Sequence, residues 1–268
     1  MLPAVFFMML SVHHLLAAGI MMEHDEHKDS YWHSAKKPLE VLLFLLPFLV
    51  FYEICLVFVL QRAGEGTLTN WAHEALNRYL NFAIPDMLGL SFPAIAVVVV
   101  LLIWHLLTRA PWSIRFTTLG FMFLEAIAWT IPLVVFSRVV HEIIPLVAAQ
   151  EPMISDLSPL GKFAISIGAG LYEELVFRML LIFLIHTLLV DLLRLPSAPS
   201  TLLAVVCSAI LFTLYHPLQG ADDSLSLARV AFYMVAGLSF GGLFVFRGFG
   251  IVVAVHSFYD IVTFFSLN

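Results

Sequence analysis

Charge is scarce in this sequence. Asp, Glu, Lys and Arg make up 12% of its 268 residues, and Lys and Arg nowhere gather into a run. With a formal net charge of -6, the chain carries no electrostatic footprint for nucleic acid, which is excluded as a partner. Cysteine is scarcer still. Cys55 and Cys207 both lie in apolar segments, so there is no disulfide framework and no CxxC metal site, and each thiol is expected to behave as a small hydrophobe. Linkers between soluble domains and internal repeats are missing too. Apolar residues fill the chain instead, at 61% hydrophobic and a mean hydropathy of +0.98. This composition specifies a polytopic integral membrane protein with the lipid bilayer as its partner. Its expected fold is an all-α transmembrane helical bundle of about 7–8 spans with a polar cavity in the C-terminal half.

The apolar runs fall at 2–22, 38–60, 88–108, 116–136, 163–193, 202–215, 228–246 and 249–265. The first lacks a basic n-region and a small-residue cleavage site, so it reads as a membrane helix rather than a signal peptide. His24, His27 and His33 in the loop after it match no spacing with a coordination geometry behind it, and read as solvated. Residues 61–81, with Trp71, Arg78 and Tyr79, read as an interfacial segment whose aromatics sit at headgroup level. The fifth run is about 31 residues, or roughly 46 Å at 1.5 Å per residue, so it must tilt or project from the bilayer. Leu195-Pro196-Ser197-Ala198-Pro199 stops it. Gly241-Gly242 permits close backbone approach between helices. Basic residues divide almost evenly between alternate loops, so orientation is only weakly signalled. Residues 1–159 are expected to form N-terminal membrane helices and interfacial segments, and residues 160–268 a membrane core that holds the polar features described next.

Three polar features interrupt the later runs. In Glu173-Glu174-Leu175-Val176-Phe177-Arg178, Glu174 and Arg178 stand at i and i+4 and can pair on one helix face, while Glu173 points about 100° away. Ionisable groups at membrane depth cost on the order of 3 kcal/mol each and persist where they pair, line a cavity or do chemistry. Phe212-Thr213-Leu214-Tyr215-His216 places an imidazole at a helix end, and Pro217 biases His216 out of helical geometry. His256 and Asp260 again stand at i and i+4, so the carboxylate can orient the ring. Hydrolysis of an amide needs a base for water and a donor for the oxyanion. Glu173 and His216 can supply the first and His256 the second. A zinc ion on Glu173, His216 and His256 would serve the same end, and the residues alone leave both chemistries open. By counting, Glu173 lies mid-span and His216 near a helix end, so their convergence requires tilted or broken helices around a protein-lined cavity. Two other classes fit the same composition: a proton- or cation-coupled transporter, which would put weight on Glu53 and Glu125, and a non-catalytic membrane scaffold.

In order and spacing, Glu173-Glu174-x-x-x-Arg178, Phe212-x-x-x-His216 and His256-x-x-x-Asp260 resemble the EExxxR, FxxxH and HxxxN/D motifs of the CPBP or Abi intramembrane proteases, which include the CAAX prenyl endopeptidases. Gly237-Leu238-Ser239-Phe240-Gly241-Gly242 is similar to that family's glycine-containing helix. The likeness covers roughly residues 160–265. It implies an intramembrane endopeptidase acting on a peptide or protein substrate that reaches the membrane, by a metal-dependent or a glutamate-dependent route. Carried over, Glu173 and His216 activate water, His256 with the residue at 260 stabilises the oxyanion, and Glu174 and Arg178 support the site. Asparagine is common at that last position; with Asp260 there, orienting His256 is the more plausible role.

Overall fold

The computed structural model describes residues 30–62, 66–80, 92–143, 157–220 and 224–266; the apolar run 2–22, His24 and His27 lie outside the described residues. A short helix α1 (Tyr31–Ser34) leads into α2 (Pro38–Phe58), and a small ribbon pairs β1 (Gln61–Arg62) with β2 (Gly66–Thr67) antiparallel. Then follow α3 (Trp71–Leu80), α4 (Phe92–Thr108), α5 (Phe116–Ile143), α6 (Pro159–Leu192), α7 (Ser197–Tyr215), α8 (Leu227–Arg247) and α9 (Phe249–Ser266). Among the described residues five helices are long and apolar enough to cross a membrane, namely α2, α5, α6, α7 and α8, and α4 and α9 are shorter apolar helices. The chain is thus a multi-pass integral membrane protein, and among the described residues its regular elements are helices apart from the ribbon. The segment expected at the interface is that ribbon followed by α3, whose mixed composition suits a helix lying at a boundary rather than crossing it.

Element ends follow local chemistry. Helix α6 starts four residues before its apolar run, because the Ser158 side chain accepts from the Gly161 amide at 3.2 Å and Pro159 occupies the first helical position. Its end matches the expected stop, but Pro199 falls inside the first turn of α7, where a missing amide proton breaks no helical bond. Helix α8 ends at Gly248, whose φ of +88° suits a residue without Cβ, and α9 begins at once.

Helix α9 is the buried centre. Ile251, Val252, Val253, Ala254 and Val255 are all 0% exposed, and the helix packs against α5 on one side and α6 on another. Contact with α6 depends on Gly170: a Cβ there would sit 2.1 Å from Ser257 Oγ and 2.7 Å from the Val253 carbonyl oxygen. Backbone cannot yield as a side-chain tip can, so Gly170→Ala should lower stability in detergent by about 1–3 kcal/mol, read as a fall in unfolding temperature. Gly242→Ala is the matched control, since a Cβ there meets nothing within 4 Å, and it should leave that temperature unchanged. Of the Gly241-Gly242 pair, only Gly241 makes a close approach, to Val205 of α7.

At one end of the bundle Glu125 of α5 pairs with Arg247, the last residue of α8, and accepts from Tyr31 and Trp129. The Arg247 guanidinium lies 4.1 Å from the Trp32 ring centroid. Burial first, then the carboxylate it donates to, hold the Tyr31 hydroxyl above its ordinary range, so it remains a donor at neutral pH. Glu125 thus ties three helices together. Glu53, deep in α2, accepts from the Tyr172 hydroxyl at 3.3 Å.

Candidate active site

Helix α6 carries Leu171, Tyr172, Glu173, Glu174 and Arg178, all at or below 5% exposed. Directly after Glu174 it widens into a π-helix over Leu175–Ile182, with a second π stretch at Leu188–Leu192. Such widening frees backbone carbonyls and recurs at functional positions. Here Ser208 of α7 donates to the Phe177 carbonyl at 2.7 Å, which joins the two helices where the repeat changes.

Glu174 and Arg178 form the expected pair at 3.0 Å, both side chains fully buried. The Arg178 guanidinium lies 4.1 Å from the Phe212 ring centroid and 5.3 Å from that of Phe240, and donates to the Gly237 carbonyl at 3.4 Å. Phe212 therefore serves the site as an aromatic face for a cation as well as packing.

His256 Nδ1 is 2.7 Å from Glu174 Oε1, the oxygen that also faces Arg178. A carboxylate accepts, so Nδ1 carries a proton and donates. The ring stacks on Phe240 at 4.6 Å with planes 18° apart. Its Nε2 is 3.6 Å from Asp260 Oδ2 and 4.0 Å from Glu173 Oε2. The spacing of His256 and Asp260 points to Asp260 as the group that orients the ring, but Glu174, on a different helix, makes the close bond to it. Shared faces at i and i+4 reveal partners within one helix only.

His216 caps α7 in an extended conformation, φ -88° and ψ 157°, as the proline after it requires. Its Nδ1 is 2.8 Å from the Phe212 carbonyl, which can only accept, so Nδ1 bears the hydrogen and Nε2 presents a lone pair. That Nε2 is 3.8 Å from Glu173 Oε2, and the ring stacks on Tyr233 at 4.2 Å. The depth problem resolves through the α6–α7 hairpin. Helix α7 returns alongside α6 from the turn at 193–196, and its end reaches Glu173, as the Tyr215 bond at 3.3 Å and the His216 approach at 3.8 Å show.

Glu173 has two unlike oxygens. Oε1 accepts from the Tyr215 hydroxyl at 3.3 Å, whereas Oε2 is buried with no hydrogen-bond partner among the described residues and is directed toward both histidines. All six residues singled out in the sequence therefore meet, with Glu173, His216 and His256 innermost. A zinc ion on Glu173, His216 and His256 would draw Glu173 Oε2 a few tenths of an ångström closer to both imidazole nitrogens. Donors about 2.0–2.2 Å from one tetrahedral ion sit nearer each other than 3.8 and 4.0 Å, and among the described residues no three His, Cys, Asp or Glu side chains form a metal-binding group. Beside the site runs an apolar groove of about 540 Å³ between α6 and α7, bordered by Trp71, Val176, Leu180, Leu184, Leu214 and Tyr215.

Sequence reasoning gave Tyr215 and Tyr233 no role and read Trp71 only as an interfacial aromatic. Tyr215 lies next to the motif histidine, and that adjacency is the one signal it offered. Tyr233 and Trp71 come from other helices and give no local sign. Residues 157–262 match the family model described as type II CAAX prenyl endopeptidase Rce1-like, a span that holds all six site residues. No curated protein and no solved structure matches the chain.

Proposed function

We propose that this Rce1-like chain is a CAAX-type intramembrane endopeptidase that hydrolyses a peptide bond with a water activated by Glu173 and His216. One observation carries the reading: a buried carboxylate oxygen, Glu173 Oε2, without a hydrogen-bond partner among the described residues, lies 3.8 Å from His216 Nε2 and 4.0 Å from His256 Nε2. A water held there donates one hydrogen to Oε2 and the other to the His216 lone pair. Glu173 takes a proton as the water oxygen attacks the scissile carbonyl carbon. The oxyanion accepts from His256 Nε2–H, on a ring pinned by Glu174 and Phe240. Collapse breaks the C–N bond, the proton passes from Glu173 to the leaving amine, and the carboxylate is restored. Arg178 balances the Glu174 charge, and Asp260 accepts from His256 Nε2 between turnovers.

The test is cleavage of quenched peptides ending in a CAAX sequence, farnesylated and plain, by the purified protein in detergent. We expect cleavage, and a fall of about 100-fold in kcat for His216→Ala at unchanged elution volume and unfolding temperature. Wild-type kcat in folded His216→Ala would overturn this assignment. Metal content measured on the same samples separates the chemistries: stoichiometric zinc that is lost in His216→Ala would replace the base mechanism with a metal-bound water.

A further inference from the structure

The hydrogen bond from Tyr215 to Glu173 has a support of its own. The last torsion of a glutamate side chain is broad, so a carboxylate held only by its stem would not keep one oxygen aimed at two rings on different helices. Tyr215 is one residue before His216 and meets its imidazole edge-to-face at 5.0 Å, and its ring is held further by Phe177 at 5.3 Å and by Trp71 at 5.5 Å between centroids. Trp71 opens α3, the interfacial helix of the N-terminal region, and is 61% exposed at the border of the apolar groove. A tryptophan at headgroup level is anchored by its own amphipathic ring, which makes it a firm wall for a neighbour.

From the Trp71, Tyr215 and Glu173 contacts we infer that Tyr215 is a positioning residue, which holds Glu173 Oε1 so that Oε2 faces the reacting water, and that Trp71 holds Tyr215. The inference rests on the hydrolytic reading above and extends it, because it makes α3, outside all three motifs, part of the working site. Tyr215 moves no proton in the reaction; it fixes the direction in which Glu173 does so. Its aromatic contacts would serve equally well with phenylalanine, so the hydroxyl is the part that separates positioning from packing.

Tyr215→Phe should lower kcat on the order of tenfold with KM unchanged, as misplacement of a reacting group does. Trp71→Ala should lower kcat several-fold, with recovery in Trp71→Phe, and should add nothing in a Tyr215→Phe background, because both act through one hydroxyl. A second readout is independent of turnover. Labelling of Glu173 by a hydrophobic carbodiimide, followed by mass spectrometry, should rise in Tyr215→Phe, since Oε1 loses its cover. Wild-type kcat in Tyr215→Phe beside an inactive Glu173→Gln would overturn the positioning role and leave the hydrolytic reading standing. Full activity in Glu173→Gln would overturn the reading and this role with it. Labelling equal to wild type in Tyr215→Phe would overturn the contact itself, whatever the activity, and additive kcat losses in the double variant would overturn the part given to Trp71.

Discussion

Replacing Glu173 by glutamine should abolish measurable cleavage, with kcat reduced by about 10³–10⁴-fold, while the protein folds and elutes as the wild type does. Glutamine keeps the shape of the side chain and still offers an oxygen to the Tyr215 hydroxyl, so helix packing is undisturbed. What it lacks is a basic oxygen at the position of Oε2, between the two histidines. Stability should not suffer, because Glu173 is one of three carboxylates in this pocket and its neutral amide relieves repulsion from Glu174 and Asp260. Rates on the quenched peptides and unfolding temperature, measured on one preparation, check both halves. Cleavage at the wild-type rate would remove Glu173 from the chemistry.

Arg178→Ala should fail in the opposite way, through the fold. Arg178 and Glu174 are fully buried, and the same Glu174 oxygen bonds His256. Removing one partner of a buried ion pair leaves an uncompensated charge and costs about 3–5 kcal/mol, and the stacking of the guanidinium over Phe212 is lost as well. Yield of monodisperse protein and unfolding temperature should both drop sharply. The double variant Glu174→Gln, Arg178→Met should recover part of that stability, because it removes both charges together, though His256 then loses its acceptor and activity should stay low. A native unfolding temperature in Arg178→Ala would show that the pair is not needed to hold the core.

The two variants separate chemistry from structure within five residues of one helix. Along α6 the two faces were legible in the sequence: helical periodicity puts Glu174 and Arg178 on one face and turns Glu173 away, and the structure has that pair. His216 outside helical geometry was legible for the same kind of reason, a local steric rule about the residue before proline. The bond from Glu174 to His256 was not, because it joins helices far apart in the chain and requires α6 and α9 to approach closely at Gly170. Nor was the approach of His216 to Glu173, because α7 begins at Ser197, five residues before its apolar run, and so extends farther along α6 than that run indicates.

By itself the sequence determined the membrane class, the order of the apolar helices and the set of ionisable residues set into the last three motifs. These depend on composition and on periodicities of a few residues, which any window of the chain contains. Tertiary structure alone decided which carboxylate oxygen meets which imidazole nitrogen, that Tyr215 bonds Glu173, and that Trp71 stands behind Tyr215. Those contacts depend on the rotation and separation of whole helices. Helix rotation and separation follow from where a glycine admits a neighbour and where α6 widens into a π-helix, and neither is readable from residues that are distant in sequence.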